Sequence, residues 1–351
     1  MKLKEIFSAV VATALAMSLA GCGSAASSSA ASGSAASGAE SKYEKLNIRL
    51  SVAGTEQGVD SIVAQKFADD VAQASRGNVS ITVYPNAQLS GGDLTKMMEL
   101  FTTGGSYEMA VISGIVMSNV DQRFLAHTLP FEFSNYDEVC AQLDGTGGAY
   151  YSQIMNDMGI VDLGSFHNGL KQFTNNKKDI TTPADMAGLK MRIPAGTVSV
   201  KTMQALGADP VAMAWSEVFT ALQQGTVDGH ENSYQTIYSA NIQEVQKHVT
   251  ELNWQYDGYW LMANQNNWSQ YSPAVQELLS EKAKQACEYG RQYMYDQEDT
   301  IRKEFVEKDG VTITVLTDEQ RQAFIDATQS VRDEFAKQIP EACAAWGAAE
   351  G

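Results

Sequence analysis

Arg192 is the residue whose type and setting most plainly invite chemistry. It sits in Gly188-Leu-Lys-Met-Arg-Ile-Pro194, where Leu189, Met191 and Ile193 alternate with Lys190 and Arg192. This is the period-two pattern of a strand, and Pro194 ends it. The alternation sets Arg192 opposite its apolar neighbours. A planar guanidinium matches a carboxylate through two parallel hydrogen bonds, so the chemistry on offer is recognition of an anion. Bond-making machinery is not evident. The chain has no GxSxG elbow, no Walker loop, no HExxH and no GxGxxG. Its four histidines, His127, His167, His230 and His248, are dispersed, and none stands at metal-ligand spacing. Cys140, Cys287 and Cys343 form no CxxC pair and no zinc spacing; one disulfide is open to them and none is required. No metal, no cofactor and no enzymatic activity are expected.

The N-terminus reads as a processing signal. Lys2 and Lys4 precede an apolar stretch, Ile6 to Ala16, that is too short for a stable membrane span. It ends at Leu19-Ala20-Gly21-Cys22, the pattern of a bacterial lipoprotein cleavage box. The expectation is a signal peptide over residues 1–21, a diacylglyceryl group on the Cys22 thiol, and a Ser/Ala/Gly linker over 22–44. Gly23 to Ser41 carries no large apolar residue and is expected to stay disordered. About 19 flexible residues reach roughly 25 Å, enough to hold a folded body off a membrane surface. The chain has 25 basic and 42 acidic residues, a net charge of −17. That balance argues against nucleic acid, whose phosphates call for a basic face.

Elements that could position Arg192 follow from periodicity. Leu46, Ile48, Leu50 and Val52 mark a strand, and Val63, Phe67 and Val71 a helix. Val79, Ile81 and Val83 mark a strand that stops at Pro85-Asn86. Leu94, Met97, Met98 and Phe101 mark a second helix, and Met109 to Ile112 a short buried strand. This βαβα rhythm predicts a parallel-rich sheet covered by helices. A second unit begins near His167. Thr182 with Pro183 starts a short helix, Leu206-Gly207 closes another, and Ser216 is expected to cap a third that ends at Gly225. Long helical stretches follow Pro273, interrupted by a strand-like Val311 to Val315. Thr317 and Gln320 then form a capping box for the last helix.

Gly188 to Pro194, Leu206-Gly-Ala-Asp-Pro210, Trp215 to Gln223 and Asp228-Gly-His-Glu-Asn232 together resemble the extracytoplasmic receptors of tripartite ATP-independent periplasmic (TRAP) transporters, the DctP-like family. Tyr84-Pro-Asn-Ala-Gln-Leu89, Leu129-Pro-Phe131 and Glu244-Val-Gln-Lys247 agree, and the similarity runs from about residue 46 to 340. The resemblance implies an α/β, two-lobed, periplasmic-binding-protein-like fold with a hinge and long C-terminal helices. Residues 45–168 with 258–297 are expected to form lobe 1, and 169–257 with 298–345 lobe 2. It implies that Arg192 clamps a ligand carboxylate, that the Asn232 amide reaches the ligand, and that Trp215 lies beside it. Lys171 stands where many members have a second arginine; it keeps the charge and loses the fork. Ser113 and Glu56 are first-lobe candidates, Glu56 as an acceptor for ligand hydroxyls. Tyr256 is a candidate contact near the return to lobe 1.

The function implied is capture of a small organic acid between closing lobes and its delivery to integral membrane TRAP subunits. A sensory lipoprotein presenting the acid to a receptor kinase is the alternative. An extracytoplasmic hydrolase is a third reading, and no nucleophile–base arrangement supports it. Glu56, Ser113 and Asn232 beside Trp215 favour a sugar acid, with a C4-dicarboxylate next.

Overall fold

The computed structural model describes residues 42–347. The signal segment, Cys22 and the linker up to Ser41 lie outside the described residues. Nine strands form a single mixed sheet: β1 (Leu46–Val52), β2 (Val79–Tyr84), β3 (Met109–Ser113), β4 (Ile160–Asn175), β5 (Lys190–Ile193), β6 (Asp209–Ala212), β7 (Gly229–Asn232), β8 (His248–Asn264) and β9 (Thr312–Val315). Their order is β2-β1-β3-β8-β4-β7-β5-β6, with β9 paired to β8. The β1–β2, β1–β3, β5–β6, β5–β7 and β8–β9 pairs are parallel. The β3–β8, β4–β8 and β4–β7 pairs are antiparallel.

The two lobes are the two ends of this sheet. β2-β1-β3 makes one and β7-β5-β6 the other, and the long antiparallel pair β4 and β8 runs through both. In the first lobe both faces are covered. Met109 and Val111 join a cluster with Val63, Phe67 and Leu279, while Ala110 and Ile112 face the opposite cluster with Met98, Phe101 and Tyr151. A strand buried on both sides is what crossover helices on a parallel sheet produce. In the second lobe Met191 and Ile193 pack with Met203 and Phe324, and Val218 and Leu222 pack with Ile237 and Phe305 on another cluster.

β4 and β8 do not pair evenly. Their register shifts between Lys171 and Phe173, among other places. The backbone opened there is closed by the buried Gln172 amide. Its Oε1 accepts from Leu252 N (2.9 Å) and Asn253 N (3.0 Å), and its Nε2 donates to the Leu170 carbonyl (3.2 Å). The irregularity sits where the chain passes from one lobe to the other.

The helix Pro273–Glu307 runs 35 residues, about 50 Å, from Val275 in a first-lobe cluster to Phe305 in a second-lobe cluster. The last long helix, Asp318–Gln338, begins against the second lobe at Phe324 and ends against the first. Val331 and Phe335 of that helix, and Ile339 and Trp346 after it, pack with Tyr151 and Phe133 of the first lobe, so this segment is not confined to the second lobe as the expected 298–345 assignment has it. The apolar face of that helix is long enough to cover both. Cys140, Cys287 and Cys343 are free thiols. No helix among the described residues is long and apolar enough to cross a membrane.

Candidate binding site

The parallel strands β1, β3, β5 and β7 all end at one cavity. It is lined by Ala53 and Gly54 after β1, Ser113 and Ile115 at and after β3, Pro194 after β5, and Asn232 closing β7. The carboxyl ends of parallel strands are where α/β sheets leave a crevice for ligands. β4 contributes Asn168 and Lys171, and β8 contributes Asp257 and Tyr259. The cavity holds about 80 Å³. Leu94 lines it and two neighbouring hollows. Gln235 Nε2 of the second lobe donates to the Gln57 carbonyl (3.0 Å) in the first-lobe loop beside the cavity.

Arg192 is 3% exposed. Its Nε and Nη2 donate to the Met213 carbonyl at 3.2 and 2.8 Å, and its guanidinium carbon lies 5.4 Å from the centre of the Trp215 ring. Trp215 opens the helix Trp215–Gln223, so its position is set by a helix start. That helix is capped by Ala214. Ser216, expected at the cap, is an exposed residue of the first turn instead. No carboxylate among the described residues lies at ion-pair distance from Arg192. Burial lowers its pKa to about 10, which leaves it charged at neutral pH.

Lys171 lines the same cavity, but it has a partner. Its Nζ lies 3.1 Å from Glu231 Oε2 and 3.4 Å from Oε1, and both side chains are buried. Burial pushes the Glu231 carboxyl up, against the pull of Lys171 and Arg192. Asn232 uses Oδ1 to accept from Ser233 N (3.1 Å), and its Nδ2 is left without a partner among the described residues. Ser113 accepts from Val116 N (3.4 Å) and keeps its hydroxyl proton for the cavity.

Two expected contacts lie elsewhere. Glu56 is exposed and lines a separate surface groove with Lys66 and Tyr289. The acid that reaches the cavity is Asp60, in the first turn of the helix Val59–Ala74. Tyr256 is 1% exposed and packs in the first-lobe core, where its hydroxyl meets His167 Nδ1 at 3.0 Å. Alternation along β8 explains this: Asp257 and Tyr259 share the cavity side, so Tyr256 takes the other.

The sequence reading missed Asp60, Asn168, Asp257 and Tyr259. A lone acid within Trp254-Gln-Tyr-Asp-Gly-Tyr-Trp260 was a usable signal, because a carboxylate in an aromatic strand demands partners. Asp257 has them. Its Oδ2 accepts from Asn168 Nδ2 (2.9 Å) and its Oδ1 from Ile115 N (3.3 Å). His127 Nε2 is 3.7 Å away, beyond hydrogen-bond reach. Burial raises the Asp257 carboxyl, but neighbouring His127, Lys171 and Asn168 outweigh it and hold it below its ordinary value. Burial likewise pushes the wholly buried His127 imidazole down, against the pull of Asp257. No group of acids, histidines or cysteines among the described residues is arranged to hold a metal ion.

Two α/β lobes joined by shared strands, with a charged cleft at the strand ends, are the architecture of periplasmic-type solute-binding proteins, which close on a small molecule. The particular family is equally plain. Residues 52–338 match the model of DctP, the bacterial extracellular solute-binding protein family 7, and the chain belongs to that family, the solute-binding proteins of TRAP transporters. The C4-dicarboxylate-binding periplasmic protein DctP of Rhodobacter capsulatus is 31% identical over 278 residues, 79% of this chain and 82% of its own length. A TRAP periplasmic solute binding protein from Ralstonia eutropha H16, solved with bound (S)-2-acetolactate, has a TM-score of 0.83 at 28% identity, covering 86% of this chain and 98% of the other. Another from Sulfurospirillum deleyianum, solved with bound succinate, has a TM-score of 0.81 at 28% identity, covering 88% and 100%.

Proposed function

We propose that this chain is an extracytoplasmic receptor that holds a small hydroxylated organic acid by its carboxylate on Arg192 and hands it to the membrane subunits of a TRAP-type transporter. The observation that carries this reading is a buried, charged guanidinium that faces the cavity with no carboxylate among the described residues at ion-pair distance. Such a cation is costly unless an anion arrives. Asn232 Nδ2 and the Ser113 hydroxyl add donors, and the Trp215 ring supports the guanidinium face. The acceptors for ligand hydroxyls are Asp60 and Asp257 in place of Glu56. Contacts from both lobes favour the closed form, which the transporter then recognises. The Cys22 box supports tethering of the receptor through a lipid.

Titration calorimetry with D-erythronate and related short acids tests this. Arg192→Ala is expected to cost about 2–5 kcal/mol, the loss from truncating one member of a desolvated charge pair. Arg192→Lys is expected to bind weakly too, because the fork is gone. Wild-type affinity in a folded Arg192→Ala chain refutes the assignment.

A further inference from the structure

A second carboxylate finds no cation to spare in this cleft. Four charged residues line it: Arg192, Lys171, Asp60 and Asp257. Lys171 is already held by Glu231, itself wholly buried. Arg192 is therefore the one lining cation with no carboxylate at ion-pair distance among the described residues, and the other two charged residues are acids.

Asp60 comes from the first lobe and Arg192 from the second. The chain is wrapped tightly around the Asp60 carboxylate. Gly54 N donates to its Oδ2 (2.6 Å) and Ser61 N to its Oδ1 (3.0 Å). A Cβ at Gly54 or Gly58 would come within 2.5 or 2.6 Å of Oδ1, so these glycines are what let the loop close over it. Burial raises the Asp60 carboxyl to about 6, still ionised at neutral pH, and no cation among the described residues pairs with it. A buried acid with backbone donors, no cation and a face on the ligand cavity is poorly explained by folding alone.

We propose that Asp60, backed by Asp257, is the charge filter of this receptor: it admits acids with one carboxylate and a hydroxylated body, and it rejects dicarboxylates. A single carboxylate satisfies Arg192, and ligand hydroxyls donate to the acids through charge-assisted hydrogen bonds. A second carboxylate would instead be buried against like charge, which specific sites use to exclude wrong partners. Lys171 cannot turn to it without leaving Glu231 buried and unpaired. The filter rests on Arg192 holding the ligand carboxylate, as proposed above.

The test is calorimetry on the whole mature chain with three matched pairs that differ in one terminal group: D-erythronate and meso-tartrate, 2-hydroxybutyrate and malate, D-gluconate and D-glucarate. The tightest pair is decisive. The monocarboxylate is expected to bind at least about 100-fold more tightly, a difference of about 2.7 kcal/mol. Asp60→Asn is expected to narrow that ratio by about tenfold or more, through a gain for the dicarboxylate; Asp257→Asn is a second variant should the first fold poorly. A wild-type ratio within threefold overturns the filter, as does an unchanged ratio in both folded variants or silence from all six probes. Arg192→Ala separates the two levels. If it abolishes binding while both members of a pair bind wild type equally, only the filter fails. If it leaves the monocarboxylate bound as before, the carboxylate anchor itself is misplaced.

Discussion

Lys171→Met separates a ligand contact from a structural ion pair. Methionine keeps most of the apolar stem and removes the charge. In the structure the ammonium lies 3.1 Å from Glu231 Oε2, with side-chain exposures of 4% and 0%. At an effective dielectric constant of about 20, unit charges at that distance attract by about 5 kcal/mol, which the cost of drying both groups largely offsets. Removing one partner forfeits the attraction and leaves the other charge stranded, a loss of about 3–5 kcal/mol. For a body of this size each kcal/mol shifts Tm by about 2 °C, so the variant is expected to melt about 6–10 °C lower. The loss depends on pH with a definite sign. Burial already holds the Glu231 carboxyl above its ordinary value, and without Lys171 it rises further. A carboxyl whose folded value is raised loses stability as pH climbs through that value, and the deficit shrinks below the ordinary glutamate range. The unpaired Glu231 also lies close enough to Arg192 to act on its charge, so anion binding is expected to weaken with stability. Thermal and urea unfolding between about pH 5 and 8, together with calorimetry, read all three effects. The double variant Lys171→Met/Glu231→Leu is expected to recover most of the stability, because an apolar pair replaces a charged one. A single variant that melts within about 2 °C of wild type at every pH refutes the reasoning.

Thr317→Ala removes a capping box in which Thr317 Oγ1 accepts from Gln320 N (3.2 Å) and Gln320 Oε1 accepts from Thr317 N (2.9 Å). The expected cost is about 1 kcal/mol, with faster amide exchange confined to the start of the helix Asp318–Gln338; unchanged exchange there rules the cap out as a stabiliser. Cys22→Ala is expected to move the receptor from the detergent phase to the aqueous phase on phase partitioning of expressing cells, and a variant that stays with the membranes counts against lipidation.

Local pattern was enough for most of the elements. Leu46 to Val52, Val79 to Val83 and Met109 to Ile112 advertised strands, and Val63, Phe67 and Val71 a helix, because period two and period 3.6 are properties of the backbone itself. Arg192 stood out because a charge between Met191 and Ile193 in a short strand is conspicuous in the sequence, and the Thr317 box because its partners are three residues apart. β4 and β8 escaped notice. They are buried on both faces over most of their length and mix polar with aromatic residues, so neither strand shows alternation. The electrostatics of the cleft were likewise hidden. Glu56 and Asp60 are acids four residues apart, and only the turn into the helix at Val59 sends one to solvent and the other to the cavity. Tyr256 and Tyr259 differ in the side of β8 they occupy, and that side is set by pairing with β4 and its register shifts. Lys171 reads as a free cation until β4 is laid beside β7 and Glu231 comes within 3.1 Å of it. The sequence by itself determined the element types, the acidic surface and the one strand-borne arginine, since these depend on near neighbours. Which charges are buried, which are already neutralised and which remain for a ligand was decided by tertiary pairing, because desolvation and ion pairing depend on residues about 60 to 200 positions apart brought within a few ångströms.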